Sequence, residues 1–150
     1  METLARGALA GLAATVPMTA VIGAGRVAGL MGTPPPVEIT ENVAEHAGED
    51  PDRQSPEFQA AWLAAHLGYG AACGVIFAAI RPALPRSDLA AGLLFGAAVW
   101  GVSYIGLLPS LNLYPSAQDD SNQRQAVMIA AHAVFGSALA SVDRYLSATA

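Results

Sequence analysis

The sequence predicts an all-α membrane protein, a four-helix transmembrane bundle in a single membrane domain of 150 residues. Three observations predict it. First, 53% of the residues are hydrophobic and only 13% are charged, against roughly 25% charged in soluble domains. A surface so poor in charge does not face water all round. Second, four stretches reach the ~20 mostly apolar residues that cross a bilayer. Third, small residues recur four apart along each stretch, as at Gly7 and Gly11, Gly70 and Gly74, Gly92 and Gly96, and Gly136 and Ala140. In lipid this spacing lets helix backbones approach each other closely. Backbone groups in hydrocarbon must be satisfied internally, so the stretches read as helices rather than strands.

The first helix is expected over about 7–29. Its apolar run is longer than a signal-peptide core and no clear cleavage site follows Arg26 and Gly29, so it reads as a retained span. Thr33-Pro34-Pro35-Pro36 ends it, because proline cannot continue a helix. An acidic outer loop over 32–56 follows. Within it, Thr40 precedes a short helix from Glu41 that Gly48 would close. Ser55-Pro56-Glu57 supplies a cap, a first-turn proline and an acid for the second helix, about 58–80. A short arginine- and proline-containing turn, Arg81 to Arg86, leads to the third helix, about 89–111. The fourth, about 125–142, is the shortest of the four. Pro17 and Pro109 are expected to bend or loosen their helices.

Orientation follows from arginine, since the chain has no lysine. Arg6, Arg81, Arg86 and Arg144 flank one side; Arg53 and Arg124 flank the other, with Arg26 narrowing the difference. The bias puts both termini in the cytoplasm and the acidic loop outside. The net charge of −5 and the lack of a basic patch exclude nucleic acid as a partner. The expected partners are the lipid bilayer and other membrane subunits or further copies of the chain. The single cysteine, Cys73, excludes an intramolecular disulfide and any cysteine-based metal centre within one chain.

The chain also reads as two repeated helix pairs. Ala64-Ala65-His66-Leu67-Gly68-Tyr69-Gly70 matches Ala130-Ala131-His132-Ala133-Val134-Phe135-Gly136 in its histidine, aromatic and glycine positions. Leu9-Ala10-Gly11-Leu12 matches Ala90-Ala91-Gly92-Leu93 more weakly. Both pairs start on the same side, so the repeat is parallel.

His66, His132, Ser103, Tyr104 and Thr19 lie at similar depth, roughly 9–12 Å below the outer helix ends at 1.5 Å per residue. Polar groups in hydrocarbon need partners, so these five are expected to face inward as one layer. Four uses stay open. The layer is a structural hydrogen-bond network; or it handles protons or ions, or senses pH, with Arg26, Glu41, Asp119 and Arg124 at its outer mouth; or His66 and His132 hold a haem b as cofactor, with Gly68, Gly70 and Gly136 leaving room for the macrocycle; or the layer binds a lipid or a small molecule. Two histidines without an inward carboxylate are a poor metal set, and His46 reads as a solvated side chain. No catalytic residue is assigned, because no nucleophile–base spacing or phosphate loop is present.

Thr15-Val16-Pro17-Met18-Thr19, Met31-Gly32-Thr33-Pro34-Pro35 followed by Ile39-Thr40-Glu41, the stretch Trp100 to Gly106 and the two histidine strings are together similar to a group of small uncharacterised bacterial inner-membrane proteins. That group is in turn distantly YagU-like, although this chain lacks the longer ends of that type. The resemblance implies a multi-pass protein of the bacterial inner membrane and carries no established reaction. His66, Tyr69, Gly70, Ser103, Tyr104, His132 and Gly136 match its motifs. The expected function is that of a small non-enzymatic integral membrane protein, an accessory or structural subunit or a sensor with a buried histidine layer. The alternative is a bis-histidine haem or proton- and ion-handling protein.

Overall fold

The computed structural model describes residues 2–149, and among these every regular element is helical. Helix α1 (Thr3–Val27) leads through a bend to α2 (Pro35–His46), then to α3 (Pro56–Ile80) and α4 (Asp88–Gly101). A π-helical stretch, Val102–Leu107, and a single turn, α5 (Leu108–Ser110), prolong α4. Helix α6 (Asn122–Ala148) completes the chain. Four segments, Thr3–Val27, Pro56–Ala83, Asp88–Ser110 and Asn122–Ala148, are long and apolar enough to cross a membrane.

The helix ends have local causes. Gly29 at φ 73°, Gly48 at φ 83° and Asn112 at φ 53° each take the left-handed conformation that closes a helix. At each, the next residue's N–H reaches back to a carbonyl five residues earlier: Leu30 to Gly25, Glu49 to Ala44, and Leu113 to Leu108. Helix α1 therefore stops at its glycine, well before the prolines. Pro35 and Pro36 instead open α2, where a missing N–H costs nothing. The region expected as a loop over 32–56 thus holds a helix that begins five residues before Thr40, whose hydroxyl bonds the Pro36 carbonyl. Ser55, Ser87 and Ser121 cap α3, α4 and α6 through their hydroxyl oxygens.

Pro17 leaves α1 continuous. Pro109 does not leave α4 unchanged. It has no N–H for the carbonyl of Ile105, and its ring crowds that oxygen. The backbone just before it widens into the π stretch, where Leu108 N–H bonds the Ser103 carbonyl. The fourth span, 27 residues long, is not the shortest: only Pro56–Ala83, at 28, exceeds it. It passes Val142 for a further turn and a half because Asp143, which as a lone charge would end an apolar run, is buried against Arg6 of α1 at 2.8 Å.

The long helices pack in the order α3, α1, α6, α4. Contact is closest at glycines. A methyl group on Gly11 would collide with the Gly70 carbonyl, and one on Gly74 with the Gly7 carbonyl. On the other side, Gly92 meets the Gly136 carbonyl and Gly96 that of His132. The repeat pairs Gly11 with Gly92 and Gly70 with Gly136, so each helix pair crosses at equivalent glycines. Helices α3 and α4 stand apart along their lengths. Long side chains bridge them: Phe77 meets Phe95 edge to face at 5.2 Å, and Tyr69 Oη bonds Ser103 Oγ at 2.8 Å.

Two stability predictions follow from these contacts. Gly70→Ala and Gly136→Ala force two backbones apart, and each is expected to cost about 1–3 kcal/mol. Gly68→Ala, which meets open space, is expected to be neutral or to stabilise by up to ~1 kcal/mol. Thermal unfolding in mild detergent compares the three. Asp143→Ala, which strands Arg6, is expected to cost up to about 3 kcal/mol. The double change Arg6→Met with Asp143→Leu is expected to regain most of that loss in the same assay.

Candidate functional site

Near the end of the bundle that α2 covers, where α3 and α4 stand apart, lies a cavity of about 260 Å³. Met18 of α1, Met128 of α6, and Leu107 and Leu108 give it an apolar body. Pro35, Pro36 and Ile39 of α2 form its roof. Its polar members are His66 and Tyr69 from α3, Ser103 and Tyr104 from the π stretch, His132 from α6 and Thr40 from the roof. No charged side chain lines it.

The π stretch sets the positions of Ser103 and Tyr104, both of which it buries. A π turn re-aims the side chains it carries, a common device at functional positions. Ser103 is joined to Tyr69. The Tyr104 ring is held on three sides: stacked near Trp100, and edge to face with Tyr114 at 5.4 Å and His132 at 6.1 Å. Its hydroxyl, although buried, has no hydrogen-bond partner. The buried Nε2 of His66 has none either. His132 donates from Nδ1 to the Met128 carbonyl at 2.8 Å, which fixes its neutral tautomer and leaves Nε2 as an acceptor. A buried polar group without a partner costs about 1–3 kcal/mol. Two such atoms, Tyr104 Oη and His66 Nε2, belong to residues that line the same cavity.

Behind Tyr104 the site joins the outer surface. Arg124 lies over the Tyr114 ring, 5.3 Å from its centroid. It also donates to Glu38 Oε2 at 2.6 Å and to the Thr33 carbonyl at 2.9 Å, and stands 3.5 Å from Asp120. Burial pushes the Tyr114 phenol above its ordinary range, so it stays protonated. Asn42 donates to the Leu113 carbonyl at 2.8 Å and ties α2 to the segment after α5. Together these contacts hold α2 down as a roof.

Of the expected polar layer, His66, His132, Ser103 and Tyr104 come together at the cavity. Thr19 does not line it: its hydroxyl bonds the Thr15 carbonyl one turn back. Of the expected outer mouth, no residue lines the cavity, and Arg124 acts behind it by holding Glu38 and the Thr33 carbonyl of the roof segment. Arg26 and Asp119 are exposed and form no ion pair among the described residues. Glu41 is occupied by Arg53, whose guanidinium holds its carboxyl below the ordinary range. That surface pair forms above the ordinary carboxylate range and is lost as pH falls through the lowered value. Glu38 and Asp120 take the places that the sequence reading gave to Glu41 and Asp119. Sequence reasoning gave no role at the site to Met18, Met128 or Tyr114.

The model of a family of unknown function, DUF6789, matches residues 1–150. The chain belongs to DUF6789. No curated protein matches it, and neither does any solved structure.

The residues of this DUF6789 member do not fit a haem. The space at Gly70 is filled by Thr15 and Gly11, and that at Gly136 by Gly92 and Gly96. Gly68 meets no neighbour within 4 Å. Helices α3 and α6, which carry the two histidines, are separated by α1. Among the described residues no group of three histidine, cysteine, aspartate or glutamate side chains is placed to hold a metal ion.

The roof contacts generate a prediction. Arg124→Ala removes three polar partners and a ring contact, and is expected to cost about 1–3 kcal/mol. Arg26→Ala is expected to stay within ~0.5 kcal/mol of the parent. Thermal unfolding in detergent tests the contrast.

Proposed function

We propose that this protein is a non-enzymatic membrane protein that binds a small, neutral, largely apolar molecule within the bilayer and serves as a sensor or binding subunit of a larger assembly. The observation that carries the reading is the convergence of two partnerless polar atoms, Tyr104 Oη and His66 Nε2, on a mostly apolar, uncharged cavity. Small-molecule sites have this composition: an apolar body with a few placed polar groups that fix orientation. The uncharged lining favours a neutral ligand, because an ion there would have no counter-charge to offset its desolvation. No side chain at the cavity combines a nucleophile with a general base. Ser103 is bonded to Tyr69, and His132 spends its N–H on its own helix.

The reading includes a place. Arg6, Arg81, Arg86 and Arg144 at one end favour a cytoplasmic location for both termini, and the resemblance to small bacterial proteins favours the inner membrane. The roof helix α2 then lies on the outer side.

The test is mass spectrometry of the protein released from native-lipid nanodiscs, alongside visible spectroscopy. A neutral adduct is expected on the parent protein. Tyr104→Phe and His66→Ala are each expected to weaken it about tenfold, or ~1.4 kcal/mol. A featureless visible spectrum is expected throughout. A parent protein that carries no adduct and takes up no neutral amphiphile overturns the reading. A Soret band that disappears in His132→Ala replaces it with the haem alternative.

A further inference from the structure

The two boundaries of the cavity differ in kind. Toward the outer surface the roof is closed by charge and hydrogen bonds: Arg124 to Glu38, Arg124 to the Thr33 carbonyl, and Asn42 to the Leu113 carbonyl. A neutral apolar molecule taking that route would first have to leave the bilayer for water and then part an ion pair. Toward the lipid, between α3 and the π stretch, closure is slight. The exposed members of the lining are Ala65, Tyr69 and Leu107, all on these two elements. The backbones stand apart here. One hydrogen bond, Tyr69 to Ser103, spans the gap at this level. A hydroxyl pair exchanges partners at little net cost, since a typical hydrogen bond contributes only modestly once exchange is counted.

The polar groups also limit what is bound. Tyr104 Oη both donates and accepts, His132 Nε2 accepts, and His66 as a neutral imidazole offers one donor and one acceptor across its ring. Four rings, those of His66, Tyr69, Tyr104 and His132, stand round the cavity. Flat faces and edges of this kind suit a flat partner. Resting on the ligand-binding reading above, we propose that the ligand is a ring-bearing neutral lipid with carbonyl or hydroxyl oxygens on the ring, of the quinone or quinol kind. It enters sideways from the bilayer through the Tyr69–Ser103 window rather than through the α2 roof. Its ring oxygens meet Tyr104 and His66, and its tail leaves between α3 and α4. No electron transfer is part of the proposal.

Trp100, stacked near Tyr104 with ring centroids 6.3 Å apart, provides a reporter. In a Trp62→Phe background it is the remaining tryptophan of the chain. The experiment follows quenching of its fluorescence by decylubiquinone in liposomes that contain the reconstituted protein. Saturable quenching is expected, at least tenfold weaker in Tyr104→Phe. Ala65→Phe, which fills the window, is expected to slow the onset about tenfold. Leu107→Ala, which widens it, is expected to speed it. Asn42→Ala, which loosens the roof, is expected to leave the rate unchanged. Acceleration by Asn42→Ala without an effect of the two window changes overturns lateral entry. Absence of saturable quenching, with a different neutral adduct still present by mass spectrometry, overturns the quinone class and leaves the binding function standing. Absence of both fails the binding function itself.

Discussion

Helix backbones in this protein touch at glycines, and the rest of the architecture depends on those contacts. Between apolar helices in lipid there is no hydrophobic force to hold a bundle, because the tails outside are as apolar as the side chains within. What remains is dispersion at close range, which falls away steeply with a gap of even half an ångström. At Gly11 with Gly70 and at Gly92 with Gly136 no side chain intervenes, and carbonyl oxygens occupy the space a methyl group would fill. Thr15 contributes at the same crossing. Its hydroxyl fills the space beside Gly70 while bonding the Gly11 carbonyl of its own helix, so polarity is satisfied without loosening the contact.

Two such crossings make two similar pairs, and the way the pairs meet determines where a cavity can form. A strict two-fold relation would set α3 against α4 as closely as α1 lies against α6. The structure keeps the second contact and relaxes the first. Two features maintain the asymmetry. Phe77 and Phe95 stand between the helices toward the Arg81 end. Pro109 forces a π stretch into α4 at the level of His66, with no counterpart in α1, where Pro17 is absorbed into a continuous helix. The gap is roofed by α2, the element that belongs to one pair alone. The cavity is therefore a consequence of where the repeat fails, a position that no single helix specifies.

The bundle was legible in the sequence because hydropathy and helix length are properties of single segments. So were the closing signal at Gly48 and the cap at Ser55. The site was legible only in part. His66, His132, Ser103 and Tyr104 were named from depth alone, and depth is a one-dimensional quantity. Direction was harder to read. Thr19 shares the depth but satisfies itself on its own backbone, an option that threonine has in any helix and histidine seldom uses. The acids at the roof were displaced by one turn because the prolines were read as an end to α1 rather than as the start of α2. Moving the start of α2 from Thr40 to Pro35 gives Glu38 a place beside Arg124 and leaves Glu41 to Arg53. The Asp143–Arg6 pair was invisible for a different reason. A partner 137 positions away decides whether an aspartate ends a span or is buried in one.

Charge and cavity are separated along the axis of the molecule. At one end, Arg6 holds Asp143, and Arg81 holds Asp88 at 2.7 Å with Arg144 alongside. At the other end, Arg124 gathers Glu38 and Asp120. Between the two ends the cavity wall carries rings, hydroxyls and thioethers and no formal charge. Paired charges at both ends fix the helices in register, which a bundle held by dispersion alone would do weakly. On the proposed reading the uncharged middle serves a neutral ligand, since moving ions or activating a nucleophile needs a nearby charge to stabilise what it creates. It suits recognition, where Tyr104 must be kept in one orientation while its hydroxyl stays available. The three rings packed around Tyr104 do the first, and the lack of any protein partner for its hydroxyl does the second.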